Sequence, residues 1–200
     1  MKVSIIIPSR NDRGFLKHAI NSVKKQSYKD IELLVSIGDC GVSENINKAI
    51  KMSTGDIITY FADDDLLPSN AVKLAVEKMG NHSFIHGNAI RFNRSMRLLH
   101  KPNNIHPTLK DLINYNHIHG GTCYYRAEVL KNNLFDETLT TGEEYELHLR
   151  LLSKGYSLGY INEVLFNYRL HDGQKSIGNM DKEYQAKRKI IIDEIKRKYV

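Results

Sequence analysis

The first half of the chain alternates between two periods, and this alternation limits what it can fold into. Residues 3–7, 31–37 and 56–61 are short, mostly apolar runs rich in Val and Ile, as in strands buried on both faces. Between them, Phe15, Leu16, Ala19, Ile20 and Val23 fall at helical spacing, with Asp12 as the expected cap. Val42, Ile46, Ala49 and Ile50 form a second such stretch, which Gly55 closes, and Val72, Ala75, Val76 and Met79 a third. A strand–helix series of this kind packs as a parallel sheet with helical crossovers. The expected fold class is therefore α/β.

The pattern is less regular beyond residue 80. Residues 83–88 and 90–92 read as two short strands, with residues 97–100 pairing against one of them. Leu109, Leu112 and Ile113 mark a short helix, and Gly120-Gly121 precedes a strand at 122–126. Residues 143–153 form a helix with Leu147, Leu149, Leu151 and Leu152 inward and a Glu146–Arg150 pair one turn apart; Gly155 ends it. A last strand is expected at 164–169. Phe15, Phe84, Tyr124 and Tyr125 read as packing residues.

At 200 residues the chain is sized for one domain with a substantial core. No apolar run is long enough to cross a bilayer, and the N-terminus reads as a strand rather than a signal peptide. Cys40 and Cys123 lack metal-finger spacing, so reduced thiols and a cytoplasmic setting are expected. The net charge of +6 favours anionic ligands without naming one. Residues 181–200 carry seven Lys/Arg and four Asp/Glu around a stripe of Tyr184, Ile191, Ile195 and Tyr199. This tail reads as an amphipathic helix docked on the domain. The alternative is peripheral contact with an anionic membrane face.

The chemistry concentrates at the ends of the expected strands. Asp63-Asp64-Asp65 directly follows the third apolar run. Adjacent carboxylates at the end of a buried strand repel one another and lose water. A hard divalent cation, Mg²⁺ or Mn²⁺, removes that cost and can bridge to substrate phosphates. An acidic helix cap or a solvated loop is the plainer alternative. Pro8, Ser9, Arg10 and Asn11 follow the first strand and Asp39 the second, so in a parallel sheet all these groups converge on one crevice. No glycine-rich phosphate loop is present, which leaves a metal as the natural partner of a diphosphate. Glu143 and Glu144 open a helix, where an acid serves either as a general base or as complement to the helix dipole. His171, just past the last strand, offers a nitrogen ligand. Arg91, Arg94 and Arg97 lie in the irregular middle, either on an acceptor loop or as plain surface charge.

In order and spacing these segments resemble family 2 glycosyltransferases of the GT-A fold, from Lys2 to about Ser176. The resemblance rests on Val3-Ser4-Ile5-Ile6-Ile7-Pro8 with Asn11, on Ser53-Thr54-Gly55-Asp56-Ile57-Ile58 leading into Asp63-Asp64-Asp65, and on Gly120-Gly121-Thr122 with Leu134-Phe135-Asp136. It extends through Gly142-Glu143-Glu144-Tyr145 and closes with Tyr168-Arg169-Leu170-His171 and Ser176. It implies a mostly parallel sheet flanked by helices with a smaller mixed acceptor-side region. Residues 1–100 would bind the nucleotide sugar, 101–176 would serve acceptor and catalysis, and 177–200 would be an appended basic helix.

The implied activity is metal-dependent, inverting transfer from a nucleoside-diphosphate sugar, probed first as UDP- or dTDP-linked, to a hydroxyl on a glycan or glycoconjugate. Asp65 and His171 would hold the cation, with Asp64 the alternative register and Asp63 nearer the ribose. Glu144 would be the base, with Glu143 its rival. Pro8, Ser9, Arg10, Asn11, Asp39, Asp63 and Asp64 would contact the donor. The chain departs from the family pattern at Gly38-Asp39-Cys40-Gly41, which has one acid where two are usual. It is also short for the family, as one module of a larger polypeptide would be. Rival readings are a sugar-phosphate nucleotidyltransferase, whose early glycine-rich basic loop is missing, and a degenerate sugar-nucleotide-binding module. Nucleic acid is not an expected partner, because charge alone speaks for it.

Overall fold

The computed structural model describes residues 1–10, 14–172, 174 and 182–200. Three parallel strands, β1 (Val3–Ser9), β2 (Ile31–Ile37) and β3 (Ile57–Tyr60), carry the first half, with β1 between the other two. Helices α1 (Leu16–Lys24), α2 (Val42–Met52) and α3 (Ala71–Lys78) cross over between or after them. The runs of β1 and β3 lie inside the sheet, where both faces are covered, whereas β2, expected to be buried likewise, is the edge strand and stays half-buried. Val3, Ile5, Ile7 and Ile57 pack with α1 and α3 on one side. Ile6, Ile58 and Tyr60 pack with α2 on the other. Pro8 is accommodated inside β1, pairing with Ser36 beyond the point where β3 has ended. The expected cap of α1, Asp12, lies outside the described residues; the residue preceding this helix is Phe15.

The second half enlarges the same sheet. The strand order is β2-β1-β3-β6-β4-β5, with β7 also on β4. β6 (Tyr124–Arg126) runs antiparallel to both β3 and β4, so β4 (Phe84–Phe92) again points the same way as β3. β7 (Leu158–Arg169) lies parallel to β4, and β5 (Arg97–His100) returns antiparallel along its outer part. Thus β1, β2, β3, β4 and β7 share one direction, and their carboxyl ends face one side of the molecule. That convergence is where open α/β sheets bind ligands.

Four elements differ from the sequence reading, one of them the strand expected at 122–126, which is only Tyr124–Arg126 because Gly120–Thr122 forms a 3₁₀ turn. Residues 84–92 form one continuous strand rather than two, because Gly87 is absorbed where the β4–β7 register slips. A Cβ on Gly87 would lie 2.8 Å from Leu165 Cδ1, so the close approach of the two strands requires glycine there. β7 begins at Leu158, six residues before the expected start, its polar Asn162 and Glu163 sitting in that irregular stretch. The helix α5 (Ala127–Lys131) was not foreseen; it is too short to show a period. The helices α4 (Leu109–Asn114) and α6 (Glu143–Ser153) form as expected, the first with a Thr108–Asp111 capping box. In α6, Leu147, Leu149 and Leu151 are fully buried and Leu152 partly so.

The tail helix α7 (Lys182–Arg197) uses its apolar stripe within the chain. Ile195 is buried, and Ile191, Ile192 and Tyr199 pack on the α2/α6 core. Burying one such side chain stabilises by about 1.5–3 kcal/mol. Tyr199 donates to Glu146 Oε1 at 2.7 Å, and Arg150 grips the same carboxylate through two nitrogens at 2.9 Å. No helix among the described residues is long and apolar enough to cross a membrane. Cys40 and Cys123 are both free thiols.

Candidate active site

The aspartate triplet leaves the end of β3 and turns inward. Asp63, Asp64 and Asp65 are only 8%, 6% and 3% exposed. Each is engaged by a different part of the chain. Ser9, at the end of β1, donates its hydroxyl to Asp63 Oδ2 at 2.5 Å. His171 Nε2 lies 3.0 Å from Asp64 Oδ2. The backbone N–H of Arg169 donates to Asp65 Oδ1 at 2.7 Å, while its Nε donates to the Asp64 carbonyl at 2.7 Å. Just beyond the triplet, Leu66 and Asn167 exchange backbone bonds in an antiparallel bridge that fastens this turn to β7.

Burial, then the Asp64 charge, hold the Asp65 carboxyl well above the usual carboxylate range; Arg169 pulls it back only in part. The site is therefore short of positive charge at its floor. The donor set fits a hard divalent cation, which takes one or two carboxylates and fills its remaining positions with substrate phosphate and water. Among the described residues, no group of three or more His, Cys, Asp or Glu is already gathered in coordinating geometry. Asp64, Asp65 and His171 are the residues that would hold one.

Arg169 and Phe15 complete this wall, and the sequence reading assigned neither of them to it. The Arg169 guanidinium carbon sits 4.9 Å from the Phe15 ring centre and 4.9 Å from that of Phe92. Phe15 also lies 4.7 Å from the His171 ring. Phe15 is thus a wall of the site rather than core packing, whereas Phe84, Tyr124 and Tyr125 are fully buried as expected. The available signal was Arg169's place two residues before His171 at a strand end. Gln174 ties the segment together, accepting from the His171 N–H at 3.1 Å and donating to the Arg169 carbonyl.

Of the other expected donor contacts, Pro8 and Ser9 lie at the end of β1, and Arg10 follows them, exposed. Asn11 and Ser176 lie outside the described residues. Asp39 is exposed at the end of β2. Its turn is held by Asn45, whose Nδ2 donates to the Gly38 carbonyl at 3.0 Å and whose Oδ1 accepts from Cys40 Sγ at 3.0 Å.

Glu143 and Glu144 open α6 after Gly142, whose φ of 79° is left-handed backbone. A side chain there would also meet Ile192 Cδ1 at 2.7 Å, so α7 packs directly on the start of α6. Glu144 lies against the 3₁₀ turn Gly120–Thr122, where a Cβ on Gly120 would come 2.8 Å from Glu144 Cγ. It also lies near the end of β3: burial first, then the Glu144 charge, push the Tyr60 hydroxyl well up. Tyr60 stands three residues before Asp63, so both acidic groups lie near the β3 terminus. Behind Glu144, His148 is fully buried, with Nε2 2.8 Å from the Tyr125 hydroxyl, and burial pushes its pKa down to about 3.

The family model described as Glycosyl transferase family 2 matches residues 36–134, about half of the chain. The chain belongs to glycosyltransferase family 2. An uncharacterised glycosyltransferase of Rickettsia conorii is 27% identical over 90% of this chain, but that match takes in only 36% of the relative. The family 2 chain thus spans about a third of that relative's length. Among solved structures, S. aureus TarS (residues 1–349) in complex with UDP-GlcNAc superposes with a TM-score of 0.68 at 18% identity. That match covers 87% of this chain and 60% of the other. The mannosyltransferase PcManGT from Pyrobaculum calidifontis, in complex with GDP-Man and Mn²⁺, gives 0.64 at 14% identity, covering 83% and 56%. At these identities the likeness establishes the fold, and the fold is GT-A.

Proposed function

We propose that this chain transfers a sugar from a nucleoside-diphosphate donor, UDP-linked by preference, to a hydroxyl on a glycan or glycoconjugate, with inversion at the anomeric carbon. The observation that carries the reading is the meeting of three buried aspartates with Arg169 and His171 at the carboxyl end of the sheet, with Glu144 close to Tyr60 at the end of β3. Further support comes from the neighbours that share this fold, whose structures hold UDP-GlcNAc in one case and GDP-Man with Mn²⁺ in another.

Mn²⁺ or Mg²⁺ would be held by Asp65 and His171, with Asp64 as the alternative ligand, since its carboxylate already engages His171. Bound there, the cation would offset the charge that develops on the leaving diphosphate. Asp63, steadied by Ser9, would face the ribose, and Arg10, Asn11 and Asp39 would border the nucleotide. Arg169 holds the Asp64 carbonyl through its Nε and the Asp65 carboxyl through its backbone N–H. Glu144 would take the proton from the acceptor hydroxyl as that oxygen attacks the face opposite the diphosphate. Glu143, one residue earlier on the same turn, is the second candidate for this role.

Calorimetric titration of the chain with UDP, dTDP and GDP, with and without Mn²⁺, tests the donor half of the proposal. Metal-dependent binding of UDP is expected. A folded chain that binds none of the three would be a degenerate module, and the transferase reading would fall.

A further inference from the structure

The hairpin of β4 and β5 stands out from the rest of the surface in charge and in exposure. Between Glu77 and Asp111 the sequence has no acidic residue, and Arg91, Arg94, Arg97 and Lys101 crowd into its middle. All four are exposed. Interleaved with them are Met96, Leu98 and Leu99, exposed by 39%, 57% and 49%. The turn that carries them is ordered: Asn93 Oδ1 accepts from the Ser95 N–H, the Ser95 hydroxyl and the Met96 N–H. The apolar side chains are therefore held outward by a built turn.

We propose that this hairpin docks the protein on an anionic lipid surface. Leu98 pairs with Arg91 and Leu99 with Ile90, so the two leucines point to opposite faces of the ribbon. A flat protein partner would cover one face and leave the other leucine in water. A bilayer's headgroup region surrounds an inserted tip on both sides. The arginines and lysine flank the apolar positions, where their long side chains can reach lipid phosphates while their stems lie along the acyl boundary. Nucleic acid fits less well. The one aromatic ring here, Phe92, is taken up by the guanidinium groups of Arg97 and Arg169 at 5.8 and 4.9 Å, leaving no face for a base. Pairing of β5 with a second copy is opposed by the shortness of this edge strand and by the cations on it.

The hairpin grows from the end of the sheet that holds the aspartate triplet; the Leu170 N–H donates to the Phe92 carbonyl at 2.7 Å. Docking by this route would bring the mouth of the crevice to the lipid surface, toward an acceptor anchored there. That consequence rests on the proposed function; the docking itself does not.

The test is co-sedimentation of the full chain with vesicles of phosphatidylcholine alone and of phosphatidylcholine with phosphatidylglycerol. The unaltered protein should prefer the anionic vesicles at least about tenfold and lose that preference as salt rises. Arg94→Glu with Lys101→Glu should weaken binding by more than about tenfold, since each cation near such a surface is worth about a factor of five. Leu98→Ser with Leu99→Ser should weaken it comparably. Lys187→Glu with Arg188→Glu, on exposed positions of the tail helix, should change it less than about twofold. Equal or absent binding to both vesicles, or a loss that follows the tail variant, overturns the proposal. So does a concentration-dependent dimer that the leucine variant abolishes without any vesicle binding. UDP titration of the same variants separates the two proposals. Vesicle binding without UDP binding sinks the donor reading and leaves the docking standing.

Discussion

The two acidic groups of the site are built in opposite ways. Asp63, Asp64 and Asp65 are nearly sealed, and each is engaged by a different residue: Ser9 at the end of β1, His171 two residues past β7, and Arg169 at the end of β7. Glu143 and Glu144 are half-buried on the first turn of one helix, set there by a left-handed glycine and pressed by the tail. A sealed carboxylate cluster with fixed partners suits a permanent charge such as a cation with its phosphates. A half-exposed acid at a helix start can exchange a proton with an arriving hydroxyl. The difference in burial is the physical reason for giving the two groups different tasks.

That division breaks most directly at Glu144. Glu144→Gln should lower the transfer rate by about 10²- to 10⁴-fold while UDP affinity stays unchanged. Undiminished turnover in this variant would pass the role to Glu143. At the other group the expected effect is on binding. Asp65→Ala should weaken Mn²⁺-dependent UDP binding by about 10- to 100-fold, with metal-independent binding unaffected. Running Asp64→Ala beside it decides the register, since the variant with the larger loss identifies the ligand. If neither variant alters the metal dependence, the triplet is structural.

A smaller effect is expected where α7 meets α6. Gly142→Ala puts a side chain at φ 79° against Ile192. The left-handed backbone alone costs about 1–2 kcal/mol. Urea unfolding should show a lower midpoint at unchanged slope; an unshifted midpoint would mean that the tail does not press on this turn.

The last contrast concerns pH. His86 and His148 are buried neutral, their pKa values pushed down by burial from 6.5 to about 4 and about 3. In the unfolded chain both take protons below about 6.5, so the unfolded state binds more protons and stability falls as pH drops through that window. Each contributes a slope of about 1.4 kcal/mol per pH unit until its folded pKa is reached. His148→Gln should flatten the acid limb between pH 6 and 4 by about that slope, whatever its effect at neutral pH. An unchanged slope would mean that His148 is already charged in the folded protein.

Much of the architecture of the first half was legible in the chain. The strands at 3–7, 31–37 and 56–61 and the helices between them follow from runs that are mostly apolar or apolar at a single period, because β1 and β3 are covered on both faces and each helix buries one face. The second half was harder to read. The β4–β7 pair slips register at Gly87–Ala89, and a slip interrupts the alternation from which a strand is recognised. Site residues divide in the same way. Asp63, Asp64 and Asp65 declared themselves as a cluster. Phe15 looked like core because its role depends on two side chains brought to it from the far end of the chain, Arg169 by stacking and His171 by proximity.

By itself, then, the sequence determined a parallel α/β sheet with carboxylates at its carboxyl edge, because hydrophobic period and strand order act over short stretches of chain. Only the tertiary structure decided that β6 runs antiparallel between β3 and β4, and which core the expected tail helix docks on. It also decided which partner each aspartate meets. Asp64 and His171 are 107 residues apart in sequence. No local preference encodes such a contact; it exists because the same core that buries β3 and β7 brings their ends together.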